Sequence, residues 1–276
     1  MEKNCLLVLT AGIVICLLFG VNGCEIPSAK YERTVRLSAP LAAGSSFKAQ
    51  THNGSITVNG QDTSGCDLTA TITGRASTEE TAKELAEKTK VRLNTSGDKL
   101  TVEIDKPRLV PNQSVSVSLD AEVPTETNLY LTTHNGAVTI ANINGKVDGS
   151  SHNGRLNASH VSGQSKLETY NGAVICEQIS GDAWASTHNG GIKVSYSQDA
   201  PAVCEIVMTT YNGSIHLKTP PNLSAVVNLS THNGSINTEL PITLTGTVSK
   251  NQFNGKIGEG LGKLKLETHN GSIHIR

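Results

Sequence analysis

The stretch Thr133-His134-Asn135-Gly136-Ala137-Val138 constrains the fold more than any other, because the chain carries nine copies of its pattern. Each copy reads polar–aromatic–Asn–Gly and is followed, one residue later, by Val, Ile or Leu. The asparagines are Asn53, Asn135, Asn153, Asn171, Asn189, Asn212, Asn233, Asn254 and Asn270. From Asn135 to Asn189 each step is 18 residues, and the later steps are 23, 21, 21 and 16. A fixed motif on a drifting period predicts a solenoid with one constant corner per coil, length variation being absorbed at another corner. Asn and Gly both tolerate positive φ, which predicts a sharp turn at each copy.

The flanks alternate as half-buried strands do. Leu129, Leu131 and Thr133 share a parity before one corner, and Val138 and Ile140 share one after it. Asn-Gly between alternating runs also suits a hairpin, and a chain of hairpins would be an antiparallel meander. A parallel β-helix explains more, since only stacked coils put like residues on like. It predicts an inner column of Val138, Leu156, Val174, Ile192, Ile215, Ile236, Ile257 and Ile273. The asparagines then form a second column of stacked amides that satisfies backbone groups at the corner. An outward aromatic ladder follows from His134, His152, Tyr170, His188, Tyr211, His232, Phe253 and His269.

Composition agrees with a narrow core. Hydrophobic residues make up 37% of the chain and aromatics only 3%, which suits thin coils that bury small slices against one another. The formal net charge of −1 gives no basic excess for nucleic acid.

The expected organisation is a signal peptide over 1–23, a tether over 24–33, an N-terminal β section over 34–124, and β-helix repeats over 125–276, with the first Asn-Gly coil at 51–58. Residues 5–19 form an apolar run of signal-peptide length, too short to span a bilayer comfortably. Val21-Asn22-Gly23-Cys24 is similar to the lipobox of bacterial lipoproteins, although Asn22 departs from the usual small or apolar residue. Lipidation of Cys24 would anchor the chain to a bacterial membrane, at the outer membrane or cell surface; ordinary cleavage would secrete it. Beyond Cys5, Cys16 and Cys24, only Cys66, Cys176 and Cys204 remain, an odd number without metal-ligand spacing. Cys176 and Cys204 fall at core parities, as small hydrophobes.

Between Asn53 and Asn135 the chain changes character. Leu68, Ala70 and Ile72 alternate in a strand. Ser77-Thr78-Glu79-Glu80 has the form of a capping box, and Ala82, Leu85, Ala86 and Thr89 share a helical face, so a helix is expected over about 78–90. A hairpin turns at Thr95-Ser96-Gly97-Asp98, and Val115 to Val123 forms the longest clean alternation. This strand–helix–hairpin section is expected to cap one end of the stack. No cap is visible at the other end, which predicts self-association through the C-terminal coil of Ile273 and Ile275.

A lipobox-like segment, alternating strands with an insertion, and repeated T-x-N-G-x-[VI]-x-[VIL] coils together resemble the bacterial "putative adhesin" family. The resemblance covers residues 34–276. It implies a single-stranded, right-handed β-helix and an envelope location, and it carries no catalytic residues.

Site chemistry is sparse. Six of the nine histidines lie in the motif, but Tyr170, Tyr211 and Phe253 share their register and no carboxylate column accompanies them, so no metal is expected. Asp148, Glu168, Glu177, Asp182 and Glu239 fall in differing registers and form no recurring pair for acid–base work. Neither catalytic residues nor a cofactor are expected. The reading is therefore a non-enzymatic, adhesin-like scaffold of the cell envelope, partnered by a membrane through its lipid and by an envelope glycan or surface protein. The alternative is a carbohydrate-binding module using Tyr170, Tyr211 and the single Trp184; a polysaccharide-active enzyme is the least favoured reading.

Overall fold

A computed structural model describes residues 29–244 and 249–276. The signal segment expected over 1–23 and Cys24, the expected lipid attachment point, lie outside the described residues, and residues 29–33, expected as tether, already belong to the strand Ala29–Pro40.

Among the described residues the fold is all β apart from one helix, and the strands form two sheets of eleven and twelve. A coil contributes one strand to each sheet. In the Asn171 coil, Ser165–Asn171 belongs to the second sheet and Val174–Ile179 to the first; Ala183–Asn189 then begins the next coil beside Ser165–Asn171. Pairing between coils is parallel and in register: Leu156 meets Val138 on one side and Val174 on the other. This is the parallel β-helix, not the meander. Alternate residues point inward, so Leu167 and Thr169 of one strand and Val174, Cys176 and Ile179 of the next are buried. Inward Ile, Val and Leu from both sheets merge into one continuous core. Aliphatic burial of this kind contributes about 25 cal/mol per Å² removed from water.

The stacking order departs from the sequence order. The inner column runs Ile56, Val138, Leu156, Val174, Ile192, Ile215, Ile273, Ile236. The last coil, Gly262–Asn270 and Ile273–Ile275, is thus inserted between the Asn212 and Asn233 coils. Regular coils pass from Ile179 to Ala183 through three residues, whereas Lys218 reaches Ala225 through six, including Pro220 and Pro221, and passes one vacant strand position that Gly262–Asn270 later fills. Length alone does not dictate the skip, since Tyr196 reaches Glu205 through eight residues and still lands beside the preceding coil.

Two expectations are corrected by this order. Ile257 does not belong to the aliphatic column; it lies in Gln252–Ile257, which runs antiparallel to Ala225–Asn233 with Ile257 opposite Ala225. Nor is the final strand the open end of the stack. Ile273 and Ile275 are buried and their strand is paired on both sides, so the proposed self-association through the C-terminal coil has no free edge there. On the second sheet that end is instead finished by antiparallel Gln252–Ile257 and Thr243–Leu244.

The opposite end is capped. Ala29–Pro40, Gly65–Ala76 and Ser114–Pro124 pair antiparallel in the first sheet, and the hairpin Lys90–Ser96 with Lys99–Asp105 ends the second. The helix Glu79–Lys88 joins the two and buries Ala82, Leu85 and Ala86. Its N-cap is Thr78, which accepts from the Thr81 N–H at 3.3 Å, one residue later than the expected capping box places it. Arg33 closes the other helix end, donating to the Ala86 and Thr89 carbonyls at 2.8 and 2.6 Å.

Candidate functional site

Each corner gives its threonine, aromatic residue, asparagine and glycine different tasks. The aromatic residue and the asparagine are successive, yet both stay outside, because the strand ends and turns there. The threonine before them is inward and buried. Its hydroxyl donates to the corner-glycine carbonyl of the adjacent coil: Thr133 to Gly54, Ser151 to Gly136, Thr169 to Gly154, Thr187 to Gly172, Thr210 to Gly190, Thr268 to Gly213 and Thr231 to Gly271, all at 2.8–3.0 Å. A buried carbonyl without a partner is costly, so the hydroxyl is a structural requirement.

Glycine is required for a different reason from the one its turn-forming habit suggests. Among the described corner residues only Gly54 has positive φ, and none of the asparagines does. A Cβ on Gly136, Gly154, Gly172, Gly190, Gly213, Gly271 or Gly234 would instead sit 1.8–2.1 Å from the glycine carbonyl oxygen of the neighbouring coil. Backbones at the corner are simply too close for any side chain. The positive-φ residues lie at the other end of the first-sheet strands: Asn142, His160 and Gln178, one per 18-residue coil with φ of 52–59°. Their differing identities hide that turn from a motif search.

The asparagines form one directed ladder. Asn135 donates from Nδ2 to Asn53 Oδ1, and the pattern continues through Asn153, Asn171, Asn189, Asn212, Asn270 and Asn233 at 2.7–2.8 Å. These amides are largely exposed at the surface rather than buried. Asn254 is the exception and corrects the expected set of nine corners. Asn254-Gly255 lies mid-strand in an antiparallel pair, where Asn254 accepts from Asn228 at 3.0 Å. Its copy of the motif has Gln252 where the others have Thr or Ser, and Gln lacks the short hydroxyl that fits the buried slot. That substitution was the available signal.

Beside the amides runs the aromatic ladder: His52, His134, His152, Tyr170, His188, Tyr211, His269 and His232, with ring centroids 4.5–5.1 Å apart and planes within 29° of parallel. Phe253 is not part of it and packs, half-buried, against the core. Because rings stack face on face, interior rings offer only their edges to solvent. The faces of Tyr170 and Tyr211, which a sugar ring would need, are therefore covered by their neighbours.

Two outward rows flank the ladder on the second sheet. Thr132, Ser150, Glu168, Ser186, Thr209, Glu267 and Ser230 form the nearer one. Between this row and the ladder lies a shallow groove of about 720 Å³, lined by Tyr170, His188, Tyr211 and the adjoining hydroxyls. The farther row carries Tyr130, Asp148, Lys166, Trp184 and Val207. Trp184 is partly exposed and lines a hollow of about 330 Å³ with Lys146, Gln164, Ser165 and Lys166.

The carboxylates do not converge. Glu168 pairs with Lys166 at 3.2 Å, Glu177 with Lys193 at 3.6 Å, and Asp182 accepts from the Glu205 N–H at 2.8 Å. No group of three or more His, Cys, Asp or Glu among the described residues is placed to hold a metal ion. Cys66, Cys176 and Cys204 are free and buried. Burial pushes the Cys66 and Cys176 thiols up to about 12 and Cys204 to about 11. Fully buried Tyr196 has no hydrogen-bond partner of good geometry for its hydroxyl, Cys204 being a polar neighbour, and burial raises its pKa too. Among the described residues no helix is long and apolar enough to cross a membrane.

Solved structures similar to this chain include a "putative adhesin" from Bacteroides fragilis, 13% identical over 88% of this chain and 97% of that one, with a TM-score of 0.41. Another is a "putative cell adhesion protein" from Clostridium sporogenes, 12% identical over 88% and 99%, at 0.38. A third is a "putative lipid binding protein" from Parabacteroides distasonis, 10% identical over 90% and 97%, at 0.35. No curated protein matches the chain. The family model described as Toastrack DUF4097 matches residues 34–276, the capped stack and every corner, and the chain belongs to that family.

Proposed function

We propose that the chain is a non-enzymatic binding scaffold of the bacterial cell envelope, adhesin-like in that an extended partner lies along the outer face of its second sheet. The observation that supports this reading is the outward face itself. Ladder rungs recur every 4.5–5.1 Å beside a row of hydroxyls, and an open groove of about 720 Å³ runs between them. A repeating, shallow, polar surface suits a polymer lying across several coils better than a small molecule, which enclosed pockets favour. Threonine–glycine bonds inside the corner hold the rungs in place without recruiting the outer side chains.

A carbohydrate is the partner class that Trp184 favours. Its partly exposed indole shares a hollow with Lys146, Gln164 and Lys166, an apolar platform among polar residues. The envelope location rests on the lipobox-like residues before Cys24, and lipidation there would supply the anchor. Metabolic palmitate labelling that Cys24→Ser abolishes supports the anchor; labelling unaffected by that change removes it.

Glycan-array binding and cell-wall polysaccharide pull-down with the purified chain test the face. Retention that Trp184→Ala reduces at least tenfold, without loss of folding, supports the carbohydrate reading. Retention unaffected by Trp184→Ala contradicts the Trp184 site, and failure to retain any envelope polymer contradicts the scaffold reading.

A further inference from the structure

A second concave surface lies on the other sheet, away from Trp184. The strands Ile192–Tyr196, Ile215–Lys218, Ile273–Ile275 and Ile236–Thr238 run side by side and put Lys193, His216, His274 and Asn237 in one outward row. Lys218, Arg276 and Glu239 stand two residues beyond His216, His274 and Asn237. Together they line a groove of about 540 Å³. His216 and His274 stack at 4.8 Å with planes 5° apart. This pair is separate from the corner ladder.

The charge of the groove is unlike that of the chain. Lys193, Lys218 and Arg276 against Glu239 alone leave the lining with two formal positive charges in excess, in a protein of net charge −1. Glu177 offsets Lys193 only weakly, since both partners are more than half exposed. Apart from Glu239 the polar side chains of the lining can all donate hydrogen bonds. Concave placement matters as much as charge, because cations around a hollow reinforce one another at its centre.

We propose that this groove binds an oxyanion, a phosphate or carboxylate group carried on a small polar ligand. Arg276 supplies a planar fork suited to two oxygens, Lys193 and Lys218 supply point charges, and His216, His274 and Asn237 donate to the remaining lone pairs. The site is independent of the polymer face and stands or falls without it.

The histidines make the binding pH-dependent. Partial burial holds the His216 ring below the ordinary imidazole range, with His274, Lys193 and Arg276 adding to the effect. The charged groups facing it are His274 and Arg276 on and beyond the final strand, Lys193 on the preceding coil, Lys218 beyond its own strand, and Glu239 at the sheet edge. An anion in the groove counters those positive neighbours and favours the protonated ring. Binding therefore takes up a proton, and affinity rises as the pH falls through the imidazole range.

Histidine ring resonances of the purified chain, followed by NMR while sodium phosphate or D-glucuronate is added at constant ionic strength, test the site. The expected result is a saturable shift of His216 and His274 with at least one of the two anions. For glucuronate, whose carboxylate stays ionised throughout, it should be tighter near pH 6 than near pH 8, and for either anion at least about tenfold weaker in Lys218→Gln/Arg276→Gln. Saturation with phosphate alone assigns a phosphate-bearing ligand, and with glucuronate alone an acidic sugar. Equal shifts with glucose or sodium chloride, no shift with either anion, or unweakened binding by the double variant overturns the proposal. All the substituted side chains are exposed, so the variants keep the fold.

Discussion

Asn270 donates from Nδ2 to Asn212 Oδ1 at 2.8 Å across 58 residues of sequence, with the Asn233 corner lying between them along the chain. The amide ladder is indifferent to chain order. Any Thr-x-Asn-Gly corner presents the same donor, acceptor and hydroxyl to its neighbour, so a late coil fits between two earlier ones.

The buried hydroxyl and the exposed amide should differ in weight. Thr169→Val keeps the shape but strands the Gly154 carbonyl, and should cost about 1–3 kcal/mol. Asn171→Ala removes two exposed ladder bonds and should cost about 0.5–1.5 kcal/mol, because water replaces them. Urea unfolding of the two variants measures the difference; a larger loss for Asn171→Ala would put the stabilising column outside the core.

Glycine at a corner answers to proximity rather than to φ. Gly172→Ala would place a Cβ 2.1 Å from the Gly154 oxygen, so two coils must separate, at a cost of about 3 kcal/mol or more. Gly97→Ala, at a hairpin turn with φ of 61° and open space around it, should cost only about 1–2 kcal/mol. Thermal melts decide the order, and equal losses would contradict the close-approach explanation.

Buried thiols give the protein an alkaline limit. Cys176 titrates at about 12 when folded against an ordinary value of 9.0, because burial disfavours the thiolate. The folded state thus prefers the protonated form. That preference is without consequence below the ordinary thiol range, and stability falls as the pH rises through and above it. Cys176→Ala should be less stable at neutral pH, through the cavity it leaves, yet lose less stability between neutral and alkaline pH. A parallel pH profile for both proteins would contradict the assignment. In the native chain, maleimide labelling mapped by peptide should likewise miss Cys66, Cys176 and Cys204 until unfolding.

Much of the architecture was legible because a parallel stack repeats its local chemistry. Identical corners dictated parallel coils, the aliphatic column and both outward ladders, and Ala82, Leu85 and Ala86 marked the face of the only helix among the described residues. Coil order was not legible, since the corners are interchangeable and connection length does not separate the skip after Lys218 from the longer connection after Tyr196, which skips nothing. Asn254 shows how a motif misleads when its buried member changes: Gln252 replaces the hydroxyl, and the copy becomes an antiparallel edge strand. The site was half legible. Trp184 and the ladder residues were visible, but Tyr170 and Tyr211 stack too closely to act as platforms. The cationic groove joins Lys193 and His216, neighbours on successive coils, to His274 and Arg276, which only the inserted coil brings beside them.

The inserted coil is the most direct test of the account that corner chemistry, not chain order, sets the stack. Val207 and Lys265 are outward partners on adjacent strands, and Asn228 is the partner of Lys265 on its far side. Mild oxidation of Val207→Cys/Lys265→Cys should close a disulfide, since adjacent strands lie about 4.8 Å apart. Val207→Cys/Asn228→Cys should not, with roughly twice that distance and a strand between them. A disulfide in the second variant and none in the first would mean that the coils stack in sequence order, contradicting the account.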